Sequence, residues 1–68
     1  MANSKSDNEV RQERILDAAA VLMMRQGCDK TTIADVATEV GISRGIVYLH
    51  FDSKDALLEA LIRREAIG

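Results

Sequence analysis

The sequence predicts an all-α fold: three short helices followed by the start of a fourth. Three observations carry this. The 68 residues contain no proline, and no stretch alternates apolar with polar residues between turn signals as a half-buried strand would. Apolar residues instead recur at helical spacing through most of the chain. Glycines fall where two of those runs stop, at Gly27 and Gly41.

A chain this short holds one domain, and it buries a smaller fraction of its surface than a larger domain does, so it is expected to be marginally stable. No apolar run is long enough to span a membrane and the N-terminus carries no signal-peptide pattern, so the chain reads as cytoplasmic, without a membrane partner. Cys28, the one cysteine, cannot form an intramolecular disulfide and has no metal-ligand companions nearby. No metal or cofactor is expected. Nine Lys plus Arg stand against eleven Asp plus Glu, a formal charge of −2.

Residues 1–8, MANSKSDN, are small and polar and read as a disordered arm, with Lys5 offset by Asp7. Residues 9–26 read as the first helix. Ile15, Ala19 and Leu22 form one apolar line, with Leu16, Ala20 and Met23 beside it, a stripe wide enough to bury against a core. Gly27 is its C-cap candidate. Cys28 reads as a buried structural thiol or, on a second reading, a redox group, although no activating base or cation cluster is evident.

The stretch TTIADVATEVGISRGIVYLHF, from Thr31 to Phe51, is the centre of the chain. Ile33, Val36, Ala37 and Val40 share one helical face. Thr32 precedes them, and Asp35 follows three residues later, which reads as a capping box. Gly41 stands where a left-handed C-cap wants no Cβ, and Ile42 is placed to pack back. Ser43 is an N-cap for a third helix running to about Phe51. Helix, glycine turn, helix is the outline of a DNA-binding helix-turn-helix. On the third helix Val47 and Phe51 point inward, Arg44 and Tyr48 outward, and Ile46 and His50 lie at the edge. Gly45 has two readings: a bare spot for close approach of DNA, or a site where a neighbouring helix packs closely. Ser53 caps a fourth helix beginning at Lys54, whose stripe is Leu57, Ala60 and Leu61, widened by Leu58 and Ile62.

These residues resemble the N-terminal domain of the tetracycline-repressor-like (TetR) family of transcriptional regulators. The resemblance rests on ILDAA from Ile15, Gly27, TTIADVATEVGISRG from Thr31 to Gly45, Tyr48, His50-Phe51, and SKDALL from Ser53. It implies a homeodomain-like helix-turn-helix over residues 9–52, with residues 53–68 beginning a connecting helix. It also implies a homodimeric, ligand-responsive regulator, more often a repressor, on a palindromic double-stranded operator read in the major groove. In the family a larger helical domain, which this sequence lacks, binds a small-molecule effector and forms the dimer. The chain therefore reads as a fragment whose Leu58, Ile62 and Ile67 are exposed where that domain would dock.

The candidate DNA-contacting residues are Thr32, Ser43, Arg44, Gly45, Ile46, Tyr48, His50 and Lys54. Arg44 has the chemistry to pair bidentately with guanine, or to position the head on a phosphate. Ile46 suits a thymine methyl. The resemblance places Thr32, Tyr48, His50 and Lys54 on phosphates. The plainer alternatives are a Thr32 that only caps, a His50 exposed near a helix C-terminus, and a Lys54 free on the surface. The sequence departs from the family at Met23, Cys28 and Ala34, where members usually have phenylalanine, an aromatic, and often a basic or polar residue. Between Thr31 and Lys54 the cations Arg44 and Lys54 face Asp35, Glu39 and Asp52, so non-specific DNA binding is expected to be weak. Two rivals stand beside this reading. One is a helical protein-interaction module without DNA, which the acidic balance favours. The other is an enzyme, for which no carboxylate pair, phosphate loop or metal cluster argues.

Overall fold

The computed structural model describes residues 6–67, with side chains described as far as Arg64. The elements are four helices: α1 (Asp7–Gln26), α2 (Ile33–Val40), α3 (Arg44–His50) and α4 (Lys54–Ile67). Among the described residues there is no strand.

Helix α1 starts two residues before the expected Glu9. Ser6 is the reason: its Oγ accepts the Glu9 N–H at 3.2 Å while the Glu9 carboxylate accepts the Ser6 N–H at 2.9 Å, a complete capping box. Residues 1–5 of the expected arm, Lys5 included, lie outside the described residues. The helix ends at Gly27, whose φ of 90° and ψ of 153° suit glycine and whose N–H donates to the Met23 carbonyl.

Helix α2 has the expected cap at each end. Thr32 Oγ1 accepts the Asp35 N–H and an Asp35 carboxylate oxygen accepts the Thr32 N–H, both at 3.1 Å. Gly41 is left-handed, at φ 89° and ψ 33°, and the N–H groups of Gly41 and Ile42 both reach the Ala37 carbonyl. The turn therefore satisfies orphan α2 backbone groups while it redirects the chain into α3.

Ser43 caps α3 by accepting the Ile46 N–H at 3.3 Å. The helix stops at His50, one residue short of the expectation. Phe51 is extended (φ −139°, ψ 121°), still donates its N–H to Val47, and turns its ring into the core. Ser53 caps α4 as expected, accepting the Ala56 N–H at 3.2 Å.

Helix α1 is the spine: α2 and α4 pack on it, and α3 packs on α2. The core takes Ile15, Leu16, Ala18, Ala19 and Leu22 from α1, and Ile33, Val36 and Ala37 from α2. Val47 and Phe51 enter from α3 and its cap, and Leu57 from α4. Thr31 is also buried. Its hydroxyl donates to the Gly27 carbonyl at 2.8 Å, which pins the α1–α2 loop and satisfies the one buried polar side chain of the described residues.

Three expectations fail on burial. Cys28 is exposed, because its loop turns its carbonyl, not its thiol, toward α4. Leu58 is half-buried, not exposed, since it flanks the Leu57 stripe. Ala18, left out of the expected stripe, is buried. Ile62 is exposed as expected, and the side chain of Ile67 lies outside the described ones.

Candidate nucleic-acid interface

The candidate surface is built on α3. At about 100° per residue, seven residues make about two turns. Val47 has no exposure and Phe51 almost none, and together they define the inward side. Arg44, Gly45, Tyr48 and Leu49 occupy the opposite arc, and all four are exposed. Arg44 has no ion-pair partner, and the Tyr48 hydroxyl no hydrogen-bond partner, among the described residues. A face of unpaired donors on a helix whose other side is locked into the core is a surface available to a partner.

Gly45 separates its two readings. A Cβ built there would meet nothing nearer than Ser43 Oγ, at 3.8 Å. No neighbouring helix packs against it, so close helix packing does not explain the missing side chain. What remains is a bare patch on the outward surface.

Ile46 and His50 sit half-buried on the flank away from Arg44. The His50 ring lies 6.4 Å from the Phe51 ring, tilted by 38°. This edge position agrees with the sequence reading and gives these two residues a narrower reach than Arg44 and Tyr48.

Thr32 and Ser43 stand at the N-termini of α2 and α3, both exposed. Each hydroxyl oxygen accepts from its own helix. A hydroxyl that accepts still has its O–H to donate, so capping and contact with an anion are compatible at both residues. The Asp35 carboxylate, however, sits at the head of α2, where Gln26 Nε2 also donates to it at 3.4 Å.

Lys54 forms a second group with the α1–α2 loop. Its ammonium donates to the Cys28 carbonyl at 2.5 Å and so ties the start of α4 to the loop that leads into Thr32. It is neither a free surface lysine nor wholly committed, since an ammonium has three donors.

Two cations outside the expected DNA-contacting set come beside the helix-turn-helix. Arg11 and Arg14 of α1, with Asp7 and Val10, line an open cleft of about 350 Å³ whose far wall is Val40, Gly41 and Ile42. Their i, i+3 spacing was visible, but only the packing of α1 on α2 brings them to the turn before α3. Leu49, outside the expected set, is 81% exposed on α3.

A profile of the family described as bacterial regulatory proteins, tetR family, matches residues 15–61, from the first core residue of α1 to Leu61 of α4. The chain belongs to that family. Its helix-turn-helix is the DNA-binding head of a regulator of this kind. Among its relatives, the HTH-type transcriptional repressor KstR2 of Rhodococcus jostii is 37% identical over 62 residues, covering 91% of this chain and 30% of that protein. The HTH-type transcriptional regulator TtgR of Pseudomonas putida is 34% identical over 59 residues, 87% of this chain and 28% of that one. BetI of Paraburkholderia phymatum, another HTH-type transcriptional regulator, is 44% identical over 55 residues, 81% and 28%. The chain spans less than a third of the length of these curated relatives. Among the described residues no helix is long and apolar enough to cross a membrane, and no group of three or more His, Cys, Asp or Glu is placed to hold a metal.

Proposed function

We propose that this chain reads operator DNA for a homodimeric, effector-responsive transcriptional repressor of the cytoplasm, with no catalytic role. The supporting observation is the two-sided α3, with Val47 and Phe51 locked inward and Arg44, Gly45 and Tyr48 presented outward. In this reading α3 enters the major groove and Arg44 pairs with a base edge. Gly45 lets the helix backbone come close to the DNA. Ile46 and His50 touch from the flank. The hydroxyls of Thr32, Ser43 and Tyr48 donate to phosphates, and the Lys54 ammonium holds one with the donors that Cys28 leaves over. Arg11 and Arg14 add positive charge beside the turn, which the acidic balance of the chain otherwise lacks.

The repressor role draws support from KstR2, itself a repressor. Two heads on one duplex would meet half-sites about one helical turn apart, so the operator is a palindrome. Effector binding and dimerisation belong to the remainder of such a regulator. The single head is therefore a weak binder without avidity.

The test is an NMR chemical-shift titration of the chain with a mixed-sequence duplex, first at low salt and then at moderate salt. Shifts at Thr32, Arg44, Tyr48 and Lys54 that fade as salt rises are expected. A folded sample that shows no shifts at low salt would overturn the DNA-facing assignment and favour a protein partner for the same face.

A further inference from the structure

On the outward arc of α3, Leu49 is 81% exposed, whereas the core-facing Val47 two residues earlier is fully buried. One exposed leucine is ordinary on a protein surface. Its position is what distinguishes this one. It lies one turn beyond Gly45, whose missing side chain leaves the isobutyl group standing clear of the helix surface. Arg44 and Tyr48 are exposed on the same helix, with Arg44 at the far end of the outward arc. These four residues bring little hydrogen-bonding chemistry to a base edge: one guanidinium and one phenol. The rest of the arc is bare backbone and aliphatic carbon.

The major groove has one apolar feature, the C5-methyl group of thymine. We propose that Leu49 is a specificity-determining residue that reads a thymine methyl in each half-site. The inference rests on the DNA-facing assignment of α3 made above. Leu49 is five residues beyond Arg44, about 7.5 Å along the helix and about 140° around it, so the two side chains address different bases. A cytosine or uracil at that position presents hydrogen in place of the methyl and leaves the leucine without its contact. The exposure of the leucine in the free head is then explained by what it covers in the bound one.

The experiment begins with the 68-residue chain, immobilised densely enough for two heads to share one duplex, selecting from a pool of random duplexes. The most enriched duplex is then titrated with each thymine replaced singly by deoxyuridine, which removes only the methyl group. At one position per half-site, wild-type affinity should fall about fourfold, the worth of one buried methyl. Leu49→Ala should keep its fold by circular dichroism, bind the thymine duplex more weakly, and be indifferent to that replacement. Wild-type binding unchanged by every uracil would overturn the proposal while leaving the DNA-reading head intact. So would a Leu49→Ala protein that keeps the full uracil penalty. A selection that enriches no duplex, from a folded chain, would overturn the DNA-reading assignment and this proposal with it.

Discussion

Helices α2 and α3 are neighbours of nearly equal length, with eight and seven residues, yet they are made differently. Helix α2 has a complete capping box, a left-handed glycine at its end and three buried side chains. Helix α3 has a serine cap without the reciprocal bond, a glycine in its first turn, and Val47 alone buried. Isolated helices this short are unstable, so both depend on packing, but α2 also satisfies its own ends. The contrast assigns them different work: α2 is a fixed support, and α3 gives up local stability to keep one side uncovered.

The contrast breaks first at the core. Val36 of α2 and Val47 of α3 are both fully buried. Each Val→Ala change should cost about 2 kcal/mol, enough to matter in a domain this small. Urea unfolding followed by circular dichroism reads both. If Val47→Ala costs far less than Val36→Ala, then α3 is not held by its buried side, and the two-sided description fails. The outward side should behave in the opposite way. Arg44→Ala should weaken binding to a selected duplex by about 1–3 kcal/mol and move stability by no more than about 0.5 kcal/mol. A parallel loss of stability would mean that Arg44 is structural.

The caps sharpen the comparison at a smaller scale. Thr32→Ala and Ser43→Ala should each cost about 1 kcal/mol. The α2 variant should cost more, because losing the Thr32 hydroxyl loosens the backbone on which the Asp35 carboxylate holds the residue-32 N–H. Equal losses in urea melts would remove the claimed advantage of the complete box.

Much of this was legible before any coordinates. The stripe Ile33, Val36, Ala37, Val40, the caps at Thr32, Ser43 and Ser53, and the left-handed Gly41 are local features, set by spacing of a few residues. What escaped was mostly long-range. The Lys54 bond to the Cys28 carbonyl spans 26 positions, and no local pattern encodes it. Thr31 is buried only because the loop folds over it, which no local spacing encodes. The approach of Arg11 and Arg14 to the turn follows from how α1 packs on α2. One miss was local: Ser6 and Glu9 have the capping-box spacing, but the apolar periodicity they precede begins several residues later, so the polar stretch read as an arm. For the site, the inward and outward sides of α3 followed from i, i+4 spacing. The isolation of Gly45 needed the packed structure.

Gly45 gives the smallest effect and the sharpest division between the two helices. Its φ is not positive, and a Cβ there meets open space, so Gly45→Ala is sterically free in the isolated head. Alanine is the better helix former by at most about 1 kcal/mol, and by less in a first turn, so the variant should be slightly more stable. The DNA should see the opposite. A methyl group at the point of closest approach would hold α3 away from the groove and weaken every base contact along it. Thermal melts and duplex titrations of the same variant measure the two signs independently. Opposed signs, with stability up and affinity down, are expected if the glycine is kept for the partner. A variant that gains stability and binds unchanged would show that the bare patch is incidental and that α3 meets the DNA through its longer side chains alone.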